Sequence, residues 1–598
     1  MPRKLRLLRI EHVAVVVMGL FVVLALRLVD LQVIRHAQFR ARQLRQVDAR
    51  LQVPARRGRI LDREGRVLAF DVLAYDISVV KRRVRSKDLD ILAEAAGMKK
   101  RALKAALRGA DKFVVLRRQA TLSPEAARRL ASLPGVCLER RTYRQYPFGT
   151  LGAQVIGFVD QEGNGAEGVE KAYDDVLRGT PGEVVQLRDE DGEAIGTLSA
   201  RDPIDGDDLV LALDLDLQRI ADDELQRALG ETGSRGGSVL ILDPATGDIL
   251  ASASAPLPAR RDGAYVAATW RNRAVYDLFE PGSTLKPVTA IAGLRRGVIT
   301  PTTYLYAERG VHSFGRAGVI RDAHPEQGDG WLTFEQAFAR SSNICFAKLA
   351  RELDSNQLYD ELRSCGFGSR SGVDLPSEPN GWLSLPRDWS GRTRLCLGYG
   401  QEISVTALQL ANLYVTIANG GSLLRPRMAL GIEHADGGRE EFASREVRRV
   451  LSADLAATLR ALCTRVVVEG TGKRAGLDGV QVAGKTGTAQ KAEDGRYVAR
   501  YVASFGGFVP AESPRLVGLV VLDEPRGHHH WGGYSAAATF RRIMESVTQS
   551  TRYLAPAPGR ITVVRADDLR PGQDRNESPP NLAGMSGVAL PEWRRRRH

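Results

Sequence analysis

Any fold for this chain has to bring together three short patterns that stand in one order along it. They are Ser283-Thr284-Leu285-Lys286, then Ser341-Ser342-Asn343, then Lys485-Thr486-Gly487. Each alone is weak: a second S-x-x-K, Ser78-Val79-Val80-Lys81, reads as chance, and single matches of this kind have many false positives. The chemistry explains the residue types. A seryl hydroxyl is a poor nucleophile until a base removes its proton. At i, i+3 on a helix, Ser283 and Lys286 share a face. Lys286 can be that base only if burial or neighbouring cations lower its pKa, and Lys485 is a candidate neighbour. Pro287 lacks an N–H and is tolerated only in a first helical turn, which predicts a helix beginning near Ser283. Its free amides and positive dipole end would face a reacting oxygen.

The second pattern lies in a helical stretch from Thr333 to Leu353, and Thr333 with Gln336 reads as a capping box. Ser341 and Asn343 fall where the stretch could break into two helices, because Ser and Asn favour caps over interiors. Read functionally, Ser341 relays a proton to a leaving group and Asn343 hydrogen-bonds substrate or Lys286. The third pattern follows an alternating segment, Val480 to Ala489, that predicts a strand. Gly484 and Gly487 would allow another backbone to come close, so a peptide could add to this strand edge. Lys485 and the hydroxyls of Thr486 and Thr488 suit a terminal carboxylate.

S-x-x-K, S-x-N and K-T-G in this order form a known active-site signature of penicillin-binding proteins and serine β-lactamases. The chain resembles a class B penicillin-binding protein, most like the division-specific peptidoglycan D,D-transpeptidases of the penicillin-binding protein 3 group. Further stretches carry the likeness: Arg57-Gly58-Arg59-Ile60-Leu61-Asp62-Arg63-Glu64-Gly65, Tyr146-Pro147-Phe148-Gly149, Gly165 to Glu170, Val239 to Leu250, Gly398-Tyr399-Gly400-Gln401 and Ala418 to Gly421. Arg271-Asn272-Arg273-Ala274, followed by Phe279-Glu280-Pro281-Gly282-Ser283-Thr284, is similar to the division branch rather than the elongation branch. Two positions depart from the family: Gln154 stands where His is usual, and Ala538 where proline is expected.

With 598 residues the chain is too long for one core and should form two or three domains. Its net charge of +14 could suggest nucleic acid, but the arginines are spread widely and no nucleic-acid motif is present. A basic surface facing anionic lipid and wall polymer is the better reading. The N-terminus sets the compartment. Arg3, Lys4, Arg6 and Arg9 precede an uncharged run from His12 to Leu26, short of the ~20 residues a span needs. With snorkelling flanks, Ile10 to about Val33 could cross as an uncleaved signal anchor, basic end in the cytoplasm. No convincing small-x-small cleavage site follows it.

Five cysteines, Cys137, Cys345, Cys365, Cys396 and Cys463, include no C-x-x-C pair and read as small hydrophobes rather than disulfides or a zinc site. Cys345 as a nucleophile would need a His partner that is not evident. His528-His529-His530 tempts a metal reading, but Pro525 and Gly527 argue for a solvated loop tip.

The expected class is therefore α+β and multidomain. It comprises a stub at 1–9, a transmembrane anchor at 10–34, an α+β non-catalytic pedestal or dimerisation domain at 35–202, a β-lactamase-like transpeptidase domain at 209–547 (an antiparallel sheet with helices), and a disordered tail at 555–598. Helical patterns such as Ser123 to Ser132 fall within the pedestal. The resemblance implies cross-linking of wall stem peptides through a serine acyl-enzyme, with the lipid-linked precursor polymer behind them. Ser283, Lys286, Ser341 and Asn343 would be catalytic. The amides of Ser283 and Thr488 would form the oxyanion hole, and Lys485, Thr486, Gly487 and Thr488 would bind substrate. β-Lactams would acylate Ser283; no metal or organic cofactor is implied. It also implies a SEDS glycosyltransferase and other division proteins as partners, no nucleic acid, and an inner-membrane single-pass location with the bulk extracytoplasmic. The alternatives are an elongation-type transpeptidase, a carboxypeptidase or β-lactamase, and a penicillin-binding sensor or scaffold.

Overall fold

The apolar run behind the basic N-terminus forms one helix, α1 (Pro2–Val29), continued by a π-helical turn at Asp30–Ile34. The structure is a computed structural model that describes residues 2–35, 48–108, 112–188, 194–261, 264–549 and Tyr553, so the tail expected at 555–598 lies outside the described residues. His12–Ile34, 23 residues, is long and apolar enough to cross a membrane. At ~1.5 Å per residue it exceeds the ~30 Å of a hydrocarbon core. At its far end Asp30 pairs with Arg27 at 2.7 Å and with Arg35 at 3.1 Å, so the charges that interrupt the apolar run meet each other.

The region after the N-terminal helix is organised by one long strand, β1 (Val67–Val80), which pairs antiparallel with β2 (Phe113–Ala120) and with β3 (Val136–Gln145). Ser78 of the spurious S-x-x-K lies in β1 and donates to the Cys137 carbonyl. The helix expected near Ser123 to Ser132 runs from Pro124 to Ala131, with the Ser123 side chain accepting from the Ala126 amide. Two of the family-like stretches and Arg144 of β3 converge on the fully buried Glu170 carboxylate, which belongs to a third. Arg57 Nε reaches it at 2.6 Å, Arg144 Nε at 2.7 Å and Tyr146 Oη at 3.3 Å. Arg57 also donates to Asp174 at 2.6 Å. A buried carboxylate is tolerated only when paired this fully.

Strand β4 (Asp208–Leu211) pairs in parallel with Ile60–Leu61 and antiparallel with Ala429–Glu433, so one sheet joins the N-terminal region to the region that carries the three patterns. Gln154, the departure from the family pattern, sits at the same junction. Its buried Nε2 donates to the carbonyls of Ser254, Pro256 and Thr269 at 3.2, 3.0 and 3.1 Å.

The C-terminal half is built on β5 (Gly236–Leu242), β6 (Ile249–Ala255), β7 (Ala483–Glu493), β8 (Arg496–Val509) and β9 (Leu516–Asp523). They form an antiparallel five-stranded sheet in the order β6-β5-β9-β8-β7, which leaves β7 at an edge. β5 and β6 are buried along their whole length, as continuous apolar and small-residue runs require when both faces of a sheet are covered. The helices that matter here are, in chain order, α2 (Leu215–Thr232), α3 (Lys286–Arg295), α4 (Phe334–Ala339), α5 (Asn343–Glu352), α6 (Ala407–Ala418), α7 (Ala453–Val468) and α8 (Ala536–Gln549). Leu217, Ala221 and Leu225 of α2 pack with Phe540 and Met544 of α8 over one face. Every residue of α6 is buried, and its Leu410, Leu413 and Tyr414 belong to the larger core that also holds α3, α4 and α5. Each large side chain so buried contributes about 1.5–3 kcal/mol.

Candidate active site

Ser283 is presented by a single tight turn, a 3-10 segment from Gly282 to Leu285 that runs straight into α3. The helix expected near Ser283 is thus found, with Pro287 in its first turn. The turn is pinned from below. Thr284 Oγ1 donates to the Pro281 carbonyl at 2.7 Å, and the buried Tyr414 hydroxyl donates to the Thr284 carbonyl at 2.9 Å. Beside it, the Gly282 amide donates to the Gly400 carbonyl at 2.8 Å, and Gly282 has φ +54°. A Cβ on Gly487 would lie 2.8 Å from the Pro281 carbonyl oxygen and 2.9 Å from Thr284 Cγ2. That glycine therefore lets the edge strand β7 press against the turn that presents Ser283.

The Ser341 pattern sits at a break between two helices. α4 begins with the expected Thr333–Gln336 capping box, and α5 begins at Asn343 with Ser342 as its cap. Ser341 itself lies between them with φ +63°, a left-handed conformation that costs about 1–2 kcal/mol in a residue with a Cβ. The break is held by Asp322, which accepts from Ser342 Oγ at 2.9 Å and from the Ile344 amide at 3.0 Å. Asp322 has no motif of its own and the sequence did not single it out.

The three patterns meet through two lysines that are both fully buried. Lys286 Nζ donates to the Ser341 carbonyl at 2.6 Å, to Ser341 Oγ at 3.1 Å and to Asn343 Oδ1 at 2.9 Å. Lys485 Nζ donates to the same Ser341 Oγ at 2.8 Å and to the Thr486 carbonyl at 3.3 Å. Asn343 is turned by a second bond, Nδ2 to the Arg321 carbonyl at 3.0 Å. Burial pushes Lys286 down to about 7, with the Asp322 charge opposing. Burial and then the neighbouring Lys286 hold Lys485 well below the usual lysine range. Two ammonium groups sharing one hydroxyl cannot both be charged cheaply, so near neutral pH the pair favours at most one proton.

The remaining wall is β7. Thr486 Oγ1 and Thr471 Oγ1 are hydrogen-bonded at 2.6 Å, and Thr488 Oγ1 accepts from the Gly532 amide at 3.0 Å. The strand begins at Ala483, three residues later than the alternation from Val480 suggests. Gln481 is exposed there, and its carbonyl accepts from Ala511 outside the sheet. Ser283, Ser341, Asn343, Thr486 and Thr488 together line one cleft of about 930 Å³. A half-buried hydroxyl, a lysine able to be neutral near pH 7 and an edge strand in a cleft of this size are the parts needed for acyl transfer from a peptide.

Neither of the two distractions takes part in that constellation. Cys345 is buried in α5, and burial pushes its thiol up to about 11. The His528–His530 segment is a 3-10 turn, and the His530 ring packs at a tilt against Tyr501 and Trp531. Among the described residues, no group of His, Cys, Asp and Glu is placed to hold a metal ion.

Comparison with known proteins gives matches along the chain. A family model described as penicillin binding protein transpeptidase domain matches residues 237–545, and one described as penicillin-binding protein dimerisation domain matches 52–211. The chain is 34% identical to a Mycobacterium tuberculosis protein named penicillin-binding protein PbpB, over 92% of this chain and 86% of the relative. It is 32% identical to Escherichia coli peptidoglycan D,D-transpeptidase FtsI, over 83% of this chain and 84% of the relative. Among solved structures, penicillin binding protein 3 of Mycobacterium tuberculosis, complexed with aztreonam, is similar with a TM-score of 0.66 and 30% identity. That likeness covers 85% of this chain and 98% of the other.

Proposed function

The chain belongs to the penicillin-binding protein transpeptidase family, and from that premise we propose that it is a serine-type peptidoglycan D,D-transpeptidase acting in septal wall synthesis. The observation that carries the chemistry is the convergence of Lys286 Nζ and Lys485 Nζ on Ser341 Oγ, in the cleft that also holds Ser283.

A stem peptide ending in D-Ala-D-Ala adds along the free edge of β7. Its terminal carboxylate is taken by Lys485 and the hydroxyls of Thr486 and Thr488. A carboxylate at Lys485 draws the pair's proton to that lysine and leaves Lys286 neutral. A neutral amine has two protons and one lone pair, so it can keep two of its three bonds and turn the lone pair to Ser283. Ser283 Oγ then attacks the penultimate D-Ala carbonyl while its proton passes to Lys286. The oxyanion is met by the amides of Ser283 and Thr488, each such donor contributing about 3 kcal/mol. D-Ala departs with a proton delivered through Ser341 or Lys286. The amine of a neighbouring stem attacks the ester carbonyl, and Ser283 recovers its proton as the cross-link forms.

The 23-residue apolar helix and the FtsI-type relatives support a single-pass anchor in the inner membrane, with residues 35–202 as pedestal and 209–547 as catalytic domain outside it. A SEDS glycosyltransferase and other division proteins are the partners this reading implies.

Intact-mass analysis after incubation with penicillin tests it. One stable adduct on the wild type, absent from Ser283→Ala, is expected. Penicillin consumed with no adduct would make the protein a β-lactamase, and penicillin intact with no adduct would refute the assignment of Ser283.

A further inference from the structure

The cleft carries more positive charge than one terminal carboxylate calls for. Five cationic side chains line it: Arg321, Arg340, Arg392, Lys473 and Arg474. Glu469 is the one carboxylate among its described lining residues, and it already pairs with Arg465 at 2.6 Å. Two of the five cations are committed. Arg340 is ion-paired with Asp329, and Arg392 is half-buried and donates to the Ala317 carbonyl at 3.0 Å. The other three are exposed and have no carboxylate partner among the described residues. Arg321 ends the short strand Val319–Arg321, beside Asn343. Lys473 and Arg474 form a 3-10 turn just beyond Thr471, the residue that holds Thr486. Arg474 is steadied over the Tyr534 ring, 4.2 Å from its centroid. The free cations thus stand on both walls, one by the S-x-N break and two by the K-T-G strand. Unpaired like charges facing one cleft repel each other, and an anionic ligand relieves that repulsion as it enters.

The geometry points to a substrate with several carboxylates: a stem peptide whose non-terminal carboxylates are free rather than amidated, recognised by Arg321, Lys473 and Arg474. This rests on the transpeptidase reading above and adds the charge state of the peptide it takes. The three residues select substrate and leave the chemistry to the lysine pair. Their effect falls on KM rather than kcat, and salt weakens it.

Two synthetic pentapeptides ending in D-Ala-D-Ala, identical except that the non-terminal carboxylates are free or amidated, test this on the full chain. The readouts are each peptide's turnover and its power to slow penicillin acylation of Ser283. The free form should be preferred about tenfold at low salt, since exposed ion pairs are individually weak. That preference should shrink with added salt and collapse toward unity in the Arg321→Gln, Lys473→Gln, Arg474→Gln triple variant. A penicillin adduct on the variant shows that its site is assembled. Equal use of the two peptides by the wild type overturns the inference with no variant needed, as does a preference that survives salt. If penicillin fails to acylate the wild type, the transpeptidase reading falls. If it acylates normally while both peptides compete equally, only the charge-selection inference falls.

Discussion

The turn that presents Ser283 is braced by a glycine more than a hundred residues away, which makes Gly400→Ala a sharp test of how the site is held. Gly400 has φ +87°, and a Cβ built there would lie 1.9 Å from the Gly282 carbonyl oxygen. Real Cβ contacts essentially never fall under 3.0 Å, so the two segments must part by about 1.1 Å. That movement also stretches the 2.8 Å bond from the Gly282 amide to the Gly400 carbonyl. Two costs follow: about 1–2 kcal/mol for a left-handed alanine, and displacement of the nucleophile by about an ångström. A displacement of that size can cost about 100-fold in rate. Gly420→Ala separates the two costs, because Gly420 has φ +86° and nothing within 4 Å of a built Cβ. The assay is the second-order rate of acylation by a fluorescent penicillin, with melting temperature measured in parallel. Gly420→Ala should lose stability and keep its acylation rate. Gly400→Ala should lose about 100-fold or more in acylation. If it acylates within about threefold of wild type, the argument that this contact positions Ser283 is wrong.

Two further outcomes follow from the same structure. Because burial holds Lys286 at about 7 and only its neutral form can take the Ser283 proton, acylation should rise with pH through about 7 and then level off. The unfolded lysine keeps its proton to about 10.4, so between these values the unfolded chain binds more protons. This group therefore makes stability rise with pH across that window, and a rate that falls from pH 6 to pH 8 would contradict the assignment. At the pedestal junction, Gln154→Ala leaves three carbonyls without their donor, at about 1–3 kcal/mol, a melting-temperature loss of several degrees. Acylation per folded molecule should be unchanged, and a large rate loss would show that the junction reaches the site.

What the sequence made legible was local. The Thr333 capping box, the helical pattern from Ser123 to Ser132, the break before Asn343 and the apolar N-terminal helix each declare themselves within one continuous stretch of chain, and each is found. Ser283, Lys286 and Lys485 could be singled out for another reason: the proposed chemistry needs those residue types, and their order matches a signature. The supports were not legible, because each joins residues that sequence separates widely. Tyr414 reaches Thr284 across 130 residues, and Thr471 meets Thr486 from a different element. Asp322 caps a helix from a loop twenty residues upstream, leaving no spacing to read. Gly487 shows the limit well. As part of K-T-G it reads as room for a substrate backbone, yet the atoms its Cβ would strike are Ser504 Oγ of the neighbouring strand β8 and then the Pro281 carbonyl oxygen and Thr284 Cγ2 of the turn that presents Ser283. The motif residue that looks like a binding determinant is, in its contacts, a spacer that sets how near β7 lies to Ser283. Any side chain there should therefore weaken acylation by small β-lactams as much as by long peptides. A pure binding role along the strand would instead penalise the longer ligand more.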